Sequence, residues 1–145
     1  MLLSFWRNDV ARNLAQRAAA LLAKTYAPLR FLWVVGDCVD ETEAQLCAIA
    51  ERVPQDITVL RADTGLTGEG ERGPRLSHTA NAGLHEIRED DDYLVIHESD
   101  LVTAPTIITQ FVESGFCPVA GWPTIQFRDG RVMFYDTWAY RADGI

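Results

Sequence analysis

Two acids, Glu98 and Asp100, stand one residue apart directly after the apolar run Tyr93-Leu94-Val95-Ile96. At the frayed carboxyl end of a strand, both carboxylates can turn toward one point. Such a pair offers a hard, oxygen-rich site suited to Mg2+ or Mn2+. Ligands of open α/β sheets bind beyond the strand ends, where these acids would lie. The plainer alternative is a pair of solvated loop acids, and an acid pair alone does not outweigh it.

Other candidates flank this pair along the chain. Arg72 and Arg75 stand in a Gly-rich loop just ahead of a helix start. Guanidinium donors and backbone N–H groups there could grip phosphates, with plain surface arginines as the alternative. Asp37 follows a second apolar run, has no evident structural role, and is placed to accept hydrogen bonds from a base or ribose; Asp40 has a sufficient role as a helix cap. His78, Asn81 and His85 share a helical stripe without a further strong ligand at helical spacing, and His97 either joins the acid pair or only packs and hydrogen-bonds. In Tyr135-Asp136-Thr137-Trp138-Ala139-Tyr140-Arg141, three aromatics surround an acid and an arginine. They suit a sugar site, with rings stacked on a pyranose face and Asp136 on its hydroxyls, or else a folded-down sheet edge.

Two literal motif matches lack their context. Gly68-Glu69-Gly70-Glu71-Arg72-Gly73 spells a dinucleotide fingerprint. It stands away from the preceding strand, carries two glutamates that would repel a pyrophosphate, and is separated from the expected helix by Pro74. His85-Glu86 and His97-Glu98 each lack the second histidine of the zinc-peptidase motif.

The elements that must position these residues alternate. Leu2–Trp6, Phe31–Val35 and Ile57–Leu60 read as strands, and Tyr93–Ile96 as a fully buried one. Helical spacing runs from Val10 to about Tyr26 and from an Asp40 capping box, closed by Glu43, to Val53. It recurs from Leu76 to Arg88 with Leu76, Ala80, Leu84 and Ile87 as the apolar side, and from a Thr103 cap to Gly115. Cys117–Trp122 reads as a further strand, and Asp129-Gly130 as the turn of a C-terminal β-hairpin. The expectation is one α/β domain over residues 1–145, a mostly parallel sheet flanked by helices.

Bulk composition narrows the partners. The 145 residues carry a net charge of -8, which disfavours nucleic acid or an anionic membrane as the main partner. The longest apolar runs are too short for a transmembrane segment, and the first residues do not read as a signal peptide. Cys38, Cys47 and Cys117 have no C-x-x-C spacing and are expected as free thiols in a reducing, cytoplasmic setting.

Taken in order, these pieces resemble a glycosyltransferase of the GT-A fold. Glu98-Ser99-Asp100 stands in the place of that family's D-x-D-type metal motif. Val34 to Thr42 is similar to the segment that contacts the donor base, and Arg75 to Leu84 to the R…N-x-G-L segment before the metal strand. A closer likeness is to the capsule-associated mannosyltransferase family of fungi, through Phe5-Trp6-Arg7-Asn8, Arg75, Asn81 and Tyr135 to Arg141. The resemblance implies a single Rossmann-like GT-A type domain that transfers a hexose, mannose by the closer likeness. The donor would be GDP- or UDP-linked and the acceptor a glycan or other hydroxyl. It implies Glu98 and Asp100 as ligands of Mn2+ or Mg2+, and Asp136 and Asp100 as catalytic. Arg7, Asp37, Asp40, Arg72, Arg75, Asn81, Trp138 and Arg141 would bind the nucleotide sugar.

Three departures qualify this. The first metal acid is Glu rather than Asp, the family's usual region beyond Tyr-Asp-Thr-Trp is missing, and with it part of the usual acceptor site. The expectation is therefore a short or truncated domain, completed by a homodimer or a partner chain. The alternatives are a nucleotide-sugar-binding module without transfer and, more distantly, a nucleotidyltransferase.

Overall fold

Largely apolar runs make the first three strands, β1 (Leu2–Trp6), β2 (Phe31–Val35) and β3 (Ile57–Arg61), with Ser4 in β1 and Thr58 and Arg61 in β3 as the polar exceptions. The computed structural model describes residues 1–66, 68 and 71–115, with the backbone of 124–126 and 132–134. All five residues of β2 are buried, as a central strand covered on both faces requires. With β4 (Val95–Ile96) the strands form a sheet of order β3-β2-β1-β4 in which every pairing is parallel. Helices α1 (Leu14–Leu22), α2 (Thr42–Ala50), α3 (Arg72–Leu84) and α4 (Ile107–Glu113) alternate with the strands. This is an α/β architecture compatible with a Rossmann-like fold.

Alternation along the strands sorts the core into two layers. Leu3, Leu32 and Val34 pack with Met1 and Ala62 on one face, where α3 covers them. A Cβ at Gly83 would lie 2.6 Å from Leu3 Cδ1, so the glycine lets α3 sit close on the sheet. Trp6 and Trp33 meet on the other face, ring centroids 5.7 Å apart, and Arg17 of α1 lies over Trp6.

Four expectations are corrected. The first helix is split: Val10–Arg12 is a 3-10 turn, and Asn13 takes a left-handed φ of 60° before α1 begins. Helix α3 starts four residues early, at Arg72, because Pro74 falls in the first turn where no intrahelical N–H is needed. Its sheet-facing residues are Arg75, Thr79 and Gly83, while Leu76, Leu84 and Ile87 are exposed. The fourth strand is short rather than a buried run: among the described residues it pairs with β1 alone, Ile96 is 56% exposed, and Tyr93 and Leu94 are exposed too. Thr103 caps no helix; its hydroxyl pairs with His97.

The chain divides into two compact units, Met1–Gln110 and Phe111–Ile145. In the second, Thr124–Gln126 (β5) and Val132–Phe134 (β6) pair antiparallel. The expected strand Cys117–Trp122 and the Asp129-Gly130 turn lie outside the described residues. No helix among the described residues is long and apolar enough to cross a membrane.

Candidate functional site

Because the strands are parallel, their carboxyl ends share one rim of the sheet. The chain passes from β1 to β2 and β3 on one side, then returns across the sheet to β4 on the other side of β1. A reversal of this kind is where open α/β sheets bind ligands.

β4 delivers the acid pair to this rim. His97, buried, fixes the exit, with Nδ1 2.8 Å from the Glu98 carbonyl oxygen and Nε2 2.9 Å from the Thr103 hydroxyl. Both ring nitrogens are thus engaged, and burial pushes the imidazole below its ordinary pKa. The histidine packs and hydrogen-bonds rather than joining the acids. Lys24 fastens the following loop by donating to the carbonyls of Thr103 (2.9 Å) and Ala104 (3.3 Å).

The Leu101 N–H donates to the Glu98 carbonyl at 3.2 Å and closes a turn. Ser99 is buried inside that turn, while Glu98 and Asp100 on either side of it are exposed. Partial loss of solvation, then the Asp100 charge, raises the pKa of the Glu98 carboxyl; the Arg72 charge opposes them. Two mutually repelling carboxylates therefore share a field with the guanidinium that opens α3.

Glu98 and Asp100 are the residues that could hold a divalent cation here, whose charge would offset both the burial and the Asp100 repulsion that raise the Glu98 pKa. Among the described residues no group of three His, Cys, Asp or Glu gathers to hold a metal. The chain would supply two carboxylates, which is what Mg2+ takes from a protein when substrate phosphates and water complete its shell.

Behind the turn lies a polar cluster that sequence reasoning missed. Asp9 is buried, and its carboxylate accepts from Arg17 Nη2 (2.5 Å), the Arg7 N–H (2.9 Å) and the Ser99 hydroxyl (3.4 Å). Its own N–H donates to Thr42 Oγ1 at 2.7 Å, at the first residue of α2. One signal was legible: Arg17 interrupts the buried stripe Leu14, Ala18, Leu21, and a charge on such a stripe needs a buried partner.

The remaining candidates divide by what already occupies them. Asp37, left-handed at φ 49°, tethers the chain after β3. Its carboxylate accepts from the Thr64 N–H (2.9 Å), the Thr64 hydroxyl (2.6 Å) and the Gly65 N–H (2.8 Å). The Thr64 hydroxyl bond is the main cause of its lowered pKa, and the charge of the exposed Arg7 contributes. The Asp40 carboxylate accepts from the Thr42 N–H (3.0 Å) at the start of α2 and from the Val10 N–H (3.2 Å). Glu43, expected to close a capping box, pairs instead with Arg61 at 3.2 Å. Arg75 is buried and spends Nη1 on the carbonyls of Leu66 (3.2 Å) and Gly68 (2.7 Å). Glu71 occupies the Gly-rich loop itself, accepting from the Gly68 N–H at 2.8 Å.

Arg72 alone of the two loop arginines is exposed and near the acids. Asn81 is exposed on the same helix, about 14 Å of helical rise farther along, and is not brought to the turn. His78 and His85 are likewise exposed on α3 and its end. Asp136, Trp138 and Arg141 lie outside the described residues. In comparisons with known proteins, no family model and no curated sequence matches the chain.

Proposed function

We propose that this chain is the donor-binding part of a metal-dependent glycosyltransferase that moves a hexose from a GDP- or UDP-linked donor to a hydroxyl acceptor. One observation carries the reading: the Glu98–Asp100 turn stands at the reversal point of a parallel sheet, with the Arg72 charge opposing its repulsion. In the transfer, the bond from the anomeric carbon to the diphosphate breaks and its electron pair leaves on phosphate oxygen. The acceptor oxygen bonds to that carbon and gives up its proton.

Charge therefore builds on the departing diphosphate, and the site is arranged to receive it. Glu98 and Asp100 would hold a Mn2+ or Mg2+ ion, which when bound supplies Lewis-acid stabilisation of that charge. Arg72 adds a fixed positive charge beside the same phosphates, and Arg7 a second one beyond β1. Arg75 holds the loop that carries Arg72. Asp37 and Asp40 shape the wall on the side of the base, since backbone donors already occupy them. By the resemblance alone, Asp136 would take the acceptor proton in an inverting course and Trp138 and Arg141 would contact the donor; all three lie outside the described residues.

Calorimetric titration with UDP and GDP, with and without Mn2+, tests this reading. The expected result is binding that depends on Mn2+, disappears with EDTA and weakens about ten-fold or more in Asp100→Ala. Nucleotide binding that ignores both EDTA and Asp100→Ala, or no binding at all, overturns it.

A further inference from the structure

The Asp9–Arg17 pair is costly where it stands. Both side chains are buried, and the Arg17 Nε has no partner among the described residues. Buried ion pairs contribute little net stability compared with apolar residues of the same volume. What this pair does achieve is a junction. Asp9 joins the exit of β1 through the Arg7 N–H, α1 through Arg17, the start of α2 through Thr42, and the exit of β4 through Ser99. Arg17 is in turn stacked 5.6 Å over the Trp6 ring, so the carboxylate is held from the core side.

Ser99 is the residue between the two exposed acids, and Asp9 is its inward partner. We propose that Asp9, held by Arg17, is a positioning residue: it anchors Ser99 inward and so turns Glu98 and Asp100 outward on either side of it, toward a divalent ion. This rests on the reading of the turn as the metal and diphosphate site. Groups that orient metal-binding carboxylates from behind commonly govern affinity without touching the ion.

Ser99→Ala is the informative variant, because it removes one hydroxyl and leaves the Asp9–Arg17 pair intact. Three quantities are read on the full chain. Mn2+ affinity, followed by the electron paramagnetic resonance of free Mn2+, is expected to fall about ten-fold. The thermal midpoint is expected to stay as in wild type. In the metal-free protein, exchange of the Leu101 amide is expected to accelerate, since that N–H closes the turn. Asp9→Asn, where it folds, is expected to lose the same increment of Mn2+ affinity.

Unchanged Mn2+ affinity in Ser99→Ala overturns the positioning role. A wild-type chain that binds no Mn2+ overturns the site reading instead. In that case Leu101 exchange still decides the inference: acceleration in Ser99→Ala supports the anchor, and unchanged exchange removes it.

Discussion

Asp37 illustrates how a residue's surroundings decide its role. As a letter it is an acid after a buried strand, with nothing to occupy it. In the fold its carboxylate collects three donors from Thr64 and Gly65, and its own N–H donates to Asp63 at 2.7 Å. The consequence belongs to stability before binding. Asp37→Ala leaves those donors to water and is expected to cost about 1–3 kcal/mol in urea unfolding. If Asp37→Ala instead keeps full stability and loses nucleotide affinity, the tether is not what the residue is for. The contrast with Arg72 is instructive, because that side chain is exposed and no hydrogen bond occupies its donors among the described residues. Arg75, three residues on, is one helical turn round and buried against the loop carbonyls.

Elements were legible where composition alone decides, and not where packing distance does. β1 and β2 form where the apolar runs stand, because a strand covered on both faces needs apolar residues nearly throughout, whereas β3 mixes the exposed Thr58 and Arg61 with half-buried apolar residues. The same logic overstated β4, where only two residues pair with β1 and Ile96 stays exposed, since a run of apolar letters does not show how much of it the sheet covers. Helix α3 misleads for a different reason. Its most regular apolar stripe, Leu76, Ala80, Leu84, does not face the sheet, and the contact goes to Thr79 and Gly83. Small residues win because they let the helix approach: a Cβ at Gly83 would meet Leu3 Cδ1 at 2.6 Å and Val34 Cγ2 at 3.1 Å. Gly83→Ala is therefore expected to destabilise by about 1–3 kcal/mol through overpacking, offset by up to about 1 kcal/mol of helix propensity. Gly73→Ala is the control, because among the described residues nothing beyond its own helix backbone and chain neighbours lies within 4 Å of its Cβ position, and there the propensity gain stands alone. Thermal unfolding of the two variants should shift in opposite directions. The site shows the same division. Glu98, Asp100 and Arg72 could be picked out as residue types. The Ser99 to Asp9 bond, 90 residues apart in the chain, has no local signature.

Across the first unit, the two ends of the sheet carry separate polar assemblies. The carboxyl rim holds the acid turn, whereas the amino rim holds a clasp made by Asp91, Arg30 and the Met1 ammonium. The ammonium donates to the Tyr93 carbonyl at 2.7 Å and lies 3.4 Å from Asp91, while Arg30 reaches both Asp91 and the Glu86 carbonyl. Burial opposes ionisation of Asp91, but the Arg88 N–H, the Arg30 guanidinium and the ammonium charge outweigh it and hold the pKa at about 2. The sign follows directly. A folded-state pKa below the unfolded one adds stability that is complete above the unfolded value, near 4, and is lost as pH falls through about 2. The contribution is at most about 3 kcal/mol. Asp91→Asn removes the charge, so its unfolding free energy should lie below wild type at pH 7. The difference should close progressively as pH falls from about 4 toward about 2. Because the clasp and the acid turn sit at opposite rims, the same variant should keep wild-type Mn2+-dependent nucleotide affinity. A loss of that affinity in step with stability would mean that the two rims are coupled through the sheet and that the site depends on the clasp.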